Sequence, residues 1–475
     1  MMKKVLLKWK SMSAAKKASF ALIFSKFCQK GISMISTPIF TRIMSTEQYG
    51  IISNFLSWQN ILLIIGTLNL SQGVFNNGML EFKEDRERFT LSMLILANIT
   101  TTIFFVIYLL FYKEISPILN LSIPLMILML LYLYFYPAYS YWSCRQRYEY
   151  KYILQTVLTI LISIFQVVVG VLLVINCDAN SQAFYKLLAS EMVLIVVGVI
   201  LYIGILIKSK LKISLKYIVY GFKFNIYLVP HFLAMTVLSS GDKIMITSIV
   251  GEKETAIYAV SYTAASVILI FWQSIEASWT PWLYEHLSAN NVHPIKKRAN
   301  QIISAFALLA VMCMLFAPEI MGILASNQYM EGVYIIPSVT AGVFFMALYA
   351  LYMRVEYYSK NTKATMIGSI FAAIINVLLN YIFINIFGYI AAGYTTLACY
   401  VILSLYHYIY CKKLGLHKVY DNKYFFKLSI FIILVSFIVS ICYKITVLRY
   451  MIIIILLVVC IQNRKKIISI CKEYF

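Results

Sequence analysis

Charge is the scarcest commodity in this sequence. Only 13% of its 475 residues are Asp, Glu, Lys or Arg, about half the share of an ordinary soluble domain. Acids are scarcer still, 19 against 41 basic residues. No Gly-rich phosphate loop of the Walker type is present, which argues against ATP hydrolysis on this chain. The nine cysteines are scattered, with no CxxC and no Cys/His cluster. That pattern supports neither a metal centre nor a disulfide scaffold. Most of these cysteines sit in apolar runs, where Cys acts as a small hydrophobe. No polar stretch is long enough to fold into a domain that could hold a nucleotide sugar. Catalytic residues are therefore not assigned.

What is abundant is apolar surface. Hydrophobic residues make up 61% of the chain, and the mean hydropathy is +0.81. The net charge of +22 would on its own suggest a nucleic-acid binder, but a basic soluble protein does not carry so much Leu, Ile, Phe and Tyr. A polytopic membrane protein reconciles the two. Spanning a bilayer takes roughly 20 mostly apolar residues. Fourteen such runs can be read, near 19–40, 50–70, 89–112, 121–141, 152–175, 183–207, 222–250, 255–278, 300–317, 333–352, 364–387, 389–410, 424–443 and 447–463. They are continuous rather than alternating over about 10 residues, so a β-barrel is excluded. The expected fold class is all-α and polytopic, with about 14 transmembrane helices joined by short loops.

The basic residues orient these helices. With the N-terminus inside, 32 of the 41 fall on one face, in clusters such as Lys83, Arg86 and Arg88 or Lys208, Lys210, Lys212, Lys216 and Lys223. The opposite loops hold only Arg42, Lys113, Lys253, Lys444 and Arg449. One missed or invented helix would destroy this alternation downstream of it. The reading therefore places both termini in the cytoplasm. The basic stretch before the first run has no small-residue cleavage site after it, and is expected to lead into a retained helix.

The chain also carries signs of duplication. Thr41, Ile43 and Ile51 match Thr247, Ile249 and Ile257 at one constant offset, in both cases where a proline-containing helix (Pro38, Pro230) ends before the next begins. Six helices per unit is an even number, so the two halves share one topology and are related by an axis along the membrane normal. The expected organisation is an N-lobe at 1–207 and a cytoplasmic linker at 208–221. A C-lobe at 222–411 follows, and then two added helices with a cytoplasmic tail at 412–475.

Charges inside the spans are the residues to explain. Lys26 and Lys30 share one face of the first helix at i, i+4 spacing, with Lys30 roughly 16 Å along it. Lys243 and Asp242 are neighbours on the seventh run. They point about 100° apart, so one faces a cavity and the other a structural partner, or the helix is broken there. The length of 222–250, with Pro230 near one end and Gly241 beside the pair, points to a bend or break. Lys186 lies near a helix end and is expected to snorkel. Buried charge is costly and marks pathways or pairs. Two like charges on one face suit an anion-binding cavity. Glu191, Glu276 and Asp242 are candidates for a coupling ion or for ion pairs. His231, beside Pro230, is either a hydrogen-bonded structural residue or a protonation switch. Trp272, Trp279, Trp282 and Tyr284 read as an aromatic belt.

Three stretches carry a family resemblance: TPIFTRIMSTEQYGIIS at 37–53, WSCRQRYEYKY at 142–152 and SSGDKIMITSIVGEKETAIYAVSYTAA at 239–265. They resemble the bacterial polysaccharide-repeat-unit flippases, the O-antigen and capsule type within the multidrug/oligosaccharidyl-lipid/polysaccharide (MOP) exporter superfamily. Lys243 stands where Arg is common in that family, and Ala256 where Gly is usual. The resemblance implies a flippase of the bacterial cytoplasmic membrane. It would move an undecaprenyl-pyrophosphate-linked oligosaccharide by alternating access, with Lys26, Lys30 and Lys243 attracting the pyrophosphate. Arg42 would be a phosphate or sugar contact at the outer gate, since Arg can grip a phosphate bidentately; the residues alone read it equally as a cap on its helix. The resemblance further implies no cofactor beyond a coupling proton or sodium ion. It names membrane lipids, glycosyltransferases and a polymerase of the same pathway as partners, and no nucleic acid. Two rivals are a multidrug exporter of the same superfamily and, from another class, a membrane-embedded polysaccharide polymerase or acyltransferase.

Overall fold

The computed structural model describes residues 14–462. The described chain is helical throughout, with no strand among these residues. In chain order the helices are α1 (Ala14–Ile43), α2 (Thr46–Thr67), α3 (Val74–Glu81), α4 (Arg86–Leu110), α5 (Tyr112–Leu119), α6 (Ile123–Tyr148), α7 (Tyr152–Ile175), α8 (Gln182–Ser209), α9 (Leu215–Ile226) and α10 (Val229–Ile249). They continue with α11 (Glu252–Ser266), α12 (Ile268–Ser288), α13 (Val292–Leu315), α14 (Ala317–Leu324), α15 (Ile336–Tyr358), α16 (Thr362–Phe387), α17 (Ala391–Lys413), α18 (Asn422–Cys442) and α19 (Thr446–Gln462). The fourteen apolar runs fall largely within helices, several of them divided between two. Eleven helical segments among the described residues are long and apolar enough to cross a membrane. The expected basic tail 463–475 and the first 13 residues lie outside the described chain.

The chain divides between Ser240 and Gly241 into two compact units. In the first unit, one core gathers Phe55, Met129, Leu133 and Leu187 from α2, α6 and α8. A second gathers Phe75, Phe89, Leu91 and Tyr141 from α3, α4 and α6, where Phe75 and Tyr141 stack at 4.6 Å. In the second unit α15 is buried along almost its whole length. A helix buried all round is apolar all round, which fits its Val, Phe, Leu and Tyr content.

The two places where the duplication was read have matching geometry. α1 ends at Ile43 and α2 begins at Thr46, while α10 ends at Ile249 and α11 begins at Glu252. Both helix boundaries therefore recur at the offset read from the sequence. Ser45 caps α2, its hydroxyl accepting from the Gln48 amide at 3.2 Å. At the second turn Gly251 adopts φ +142°, a left-handed conformation that side chains rarely tolerate.

The 222–250 run is broken, but at Tyr227–Leu228 rather than at Gly241. Proline has no N–H to donate and is favoured at the start of a helix, and Pro230 stands in the first turn of α10. Downstream, α10 runs unbroken through Gly241, Asp242 and Lys243. On the other side of the break α9 is held by Asn225. Its side chain donates to the Leu68 carbonyl at 2.6 Å and accepts from the Val74 amide at 2.8 Å. Gly73 leaves room for this bridge, since a Cβ there would lie 2.3 Å from Asn225 Oδ1.

The run 255–278 is also longer than expected, reaching Ser288 as α11 and α12 with a junction at Val267. This corrects the aromatic belt. Trp272 and Trp279 are buried, Trp272 against Phe306 and Trp279 against Tyr420. They pack the core of the second unit because α12 continues past them. Trp282 packs under the Arg298 guanidinium, 4.2 Å away.

Candidate functional site

Lys26 and Lys30 lie along α1 with both side chains exposed. With Ser33 they form one exposed stripe at i, i+4, i+7, the spacing of a single helix face. Neither lysine is in an ion pair among the described residues. Arg42, near the end of the same helix, is exposed and donates from Nη1 to the Pro38 carbonyl at 2.9 Å. That bond folds the guanidinium back along its own helix.

Two further residues of the first unit face inward. Glu191 on α8 is buried and accepts from Gln59 Nε2 of α2 at 2.9 Å. Lys186, one turn away on α8, lies over the Phe40 ring at 5.8 Å rather than snorkelling outward. An ammonium over an aromatic face is electrostatically held. His231 is half-buried, with Phe232 at 5.9 Å and no hydrogen-bond partner for its enclosed Nδ1.

The densest polar arrangement is in the second unit, around Asp242. Its side chain is 1% exposed. The Tyr258 hydroxyl of α11 donates to Oδ2 at 2.6 Å, and the Thr396 hydroxyl of α17 donates to the same oxygen at 2.6 Å. Asn380 Nδ2 of α16 donates to Oδ1, also at 2.6 Å. Asn380 in turn accepts from the Thr395 hydroxyl and lies 3.3 Å from Asn376 Oδ1. Four helices thus converge on one carboxylate whose donors are all neutral. Lys243, next in sequence, turns away and sets its ammonium 5.2 Å from the Tyr262 ring centre. The unbroken helix resolves the two readings of this pair: Asp242 meets structural partners, and Lys243 points elsewhere.

The oxygens here are carboxylate, hydroxyl and amide, the donor set that hard cations take. No group of three His, Cys, Asp or Glu side chains suited to a metal ion occurs among the described residues.

Glu276 on α12 is gripped by Arg354 of α15, whose Nε and Nη2 donate to Oε1 at 2.9 and 2.6 Å. The structure therefore brings Asp242, Glu276 and Lys243 into the second unit, and Lys26, Lys30, Arg42, Glu191 and His231 into the first.

Several residues escaped the sequence reading. Asn376 and Asn380 sit four apart in an apolar run, and Thr395 and Thr396 adjoin in another, each a polar signal inside a span. Glu356 was passed over because it stands beside Arg354 at the end of a basic segment. It is fully buried, and His407 Nδ1 lies 2.9 and 3.0 Å from its two oxygens. Arg449 clamps Glu319 through two 2.6 Å contacts.

Comparison with known proteins follows from this fold. A family model described as polysaccharide biosynthesis protein matches residues 15–286, and one described as MatE matches 228–382. No curated protein matches the chain significantly. Among solved structures, the lipid II flippase MurJ in an inward closed conformation is similar with a TM-score of 0.66 at 14% identity, covering 95% of this chain and 99% of that one. An inward-facing multidrug resistance MATE family transporter of the MOP superfamily has a TM-score of 0.58 at 12% identity, covering 82% and 95%. The Vibrio cholerae MATE transporter VcmN in its bent form has a TM-score of 0.52 at 10% identity, covering 86% and 98%. At these identities the structures speak for the fold. The first family model spans more than half of the sequence, and the chain belongs to the polysaccharide biosynthesis protein family; its eleven long apolar helical segments make it a multi-pass membrane protein.

Proposed function

We propose that this chain is a flippase that carries a lipid-(pyrophosphate)-linked oligosaccharide repeat unit across the bacterial cytoplasmic membrane for surface polysaccharide synthesis. The observation that carries this reading is the pair of exposed, un-neutralised lysines, Lys26 and Lys30, on a helix the polysaccharide biosynthesis family model matches. Charge inside a span is costly and is retained where it lines a wet cavity. A cationic stripe there attracts an anion that bare lipid cannot solvate. The cavity opens alternately to each side, and the sugar occupies it while the lipid tail stays in the bilayer. Lys243 adds a third cation and Arg42 a bidentate contact at the outer end. Both termini are cytoplasmic in this reading, and the glycosyltransferases and polymerase of the same pathway act before and after the transfer step.

The Asp242 cluster is the coupling centre of the proposal. Its carboxylate is the group that accepts a proton or sodium ion when the gradient drives transport, and Tyr258, Asn380 and Thr396 hold it in place. Glu191 and Glu276 serve as structural partners.

The test is transport of lipid-linked oligosaccharide in proteoliposomes by Lys30→Ala together with Lys243→Ala. The loss of two charge-assisted contacts is expected to slow flipping by about tenfold or more. A double variant that flips at the normal rate overturns the cationic-cavity reading. The match of the MatE model to residues 228–382 favours a second reading, a drug exporter. A deletion strain separates them: accumulated lipid-linked oligosaccharide on the inner leaflet supports the flippase, and a changed drug-susceptibility profile supports the exporter.

A further inference from the structure

The stretch 208–227 leads from the end of α8 through α9 to α10. It holds Lys208, Lys210, Lys212, Lys216 and Lys223 and not one acid. Its inward side is fully occupied. Tyr217 donates to Asp85 at 2.9 Å, and Tyr220 donates to Glu81 at 2.8 Å. The Ser214 amide donates to the Ser92 hydroxyl at 3.0 Å, and Asn225 bridges Leu68 and Val74. The local acids thus meet tyrosines and not lysines. None of the five lysines is in an ion pair among the described residues.

The outward side is the informative one. Leu211 is 67% exposed and Leu215 74%, with Val219, Phe222 and Phe224 exposed along the same stretch. Lysines alternate with these apolar side chains. An exposed face against water would be polar throughout, whereas this one is apolar and cationic together. That is the composition of a helix lying in a membrane interface, apolar groups in the acyl boundary and lysines among the headgroups. The chain geometry places it there as well: one spanning helix ends at Ser209 and the next begins at Val229. The segment therefore starts and finishes at the same membrane surface.

We propose that 208–227 is a docking surface for anionic phospholipid headgroups of the leaflet it lies on. Charge complementarity identifies the occupant. Five unpaired ammonium groups interleaved with apolar side chains match a phosphate carried on acyl chains, and clusters of four to eight basic residues next to a span are attracted to anionic leaflets. A soluble acidic protein would leave the exposed Leu215 and Phe222 without apolar cover. Because Asn225 pins α9 to Leu68, just after α2, and to Val74 of α3, lipid bound here bears directly on the first unit.

The test uses the full chain in nanodiscs of phosphatidylcholine, alone or with added phosphatidylglycerol. Two quantities are read: the thermal midpoint, and the phosphatidylglycerol retained by the protein in native mass spectrometry. Phosphatidylglycerol is expected to raise the midpoint, and salt to weaken the effect, because the attraction is screened. Lys210→Gln, Lys212→Gln, Lys216→Gln and Lys223→Gln together are expected to remove most of that rise and to lower retention several-fold. A matched control, Lys296→Gln, Lys297→Gln, Lys412→Gln and Lys413→Gln, is expected to keep both. A linker variant that responds like the unmodified chain overturns the proposal, and so does a control that loses as much as the linker variant. If the quadruple variant does not fold, Lys216→Gln with Lys223→Gln read against the same control decides in the same way. No glycan is transported in this experiment, so its result is independent of the flippase reading.

Discussion

A buried carboxylate held by hydroxyls and amides and one held by an imidazole ring behave differently. Asp242 belongs to the first kind, and the Asp242→Asn variant keeps a hydrogen-bonding group in place while removing the ionisable one. Its transport is expected to become indifferent to an imposed proton or sodium gradient; a normal gradient response in proteoliposomes would remove Asp242 from the coupling step. Glu356 belongs to the second kind. Its partner His407 is equally buried, so His407→Leu removes the carboxyl group's nearest hydrogen-bond partner and is expected to cost about 1–3 kcal/mol. Glu356→Gln added to it should restore part of that loss, as chemical or thermal unfolding of the two variants will report. Glu319 lies outside the spans, and the Arg449 guanidinium holds its carboxyl down to about 2, against the opposing effect of burial and with help from Tyr450. A depressed acid contributes stability above its unfolded value of about 4.3 and loses it as pH falls toward about 2. The thermal midpoint should therefore fall with acid over that window in the unmodified chain, and fall less in Glu319→Gln.

At the scale of elements, the decisive contacts are those that end helices and hold them at their breaks. Asn225 serves two backbone groups at once, and both would be buried and unpaired in Asn225→Ala. Each lost partner costs about 1–3 kcal/mol, so a loss of roughly 2–6 kcal/mol is expected in unfolding measurements. Ser45→Ala removes a helix cap worth about 0.5–2 kcal/mol. The repeated junctions show how different residues reach one geometry. The first turn is ordered by the Ser45 cap, and the second by a glycine in a left-handed conformation. Gly251→Ala is therefore expected to destabilise the α10–α11 turn, while an Ala at the corresponding Met44–Ser45 turn costs only the cap.

At the scale of the molecule, a chain with 41 basic residues and a mean hydropathy of +0.81 keeps its charge at the membrane surfaces. The few charges retained in the spans divide by burial. Asp242, Glu191 and Glu356 are enclosed, whereas Lys26 and Lys30 are exposed. Enclosed carboxylates with exposed cations favour an anionic cargo over a cationic drug. Lys26→Ala with Lys30→Ala should slow flipping of lipid-linked oligosaccharide and leave drug susceptibility unchanged; the reverse result would favour the exporter.

The sequence by itself determined the class of the fold, its fourteen helical runs and the duplicated junctions, because bilayer thickness and hydrocarbon demand long apolar helices whatever their packing. It also carried the family, in motifs at the helix ends. Only the tertiary structure decided which polar groups meet. Asp242, Tyr258, Asn380 and Thr396 lie on four helices far apart in sequence, and no local pattern announces their convergence. Nor could the sequence settle that Trp279 is core and not belt, that Glu356 is buried beside His407, or that α9 turns lysines outward and tyrosines inward. Each of these depends on which face of a helix its neighbours cover, and that is a property of packing between segments and not of any segment alone.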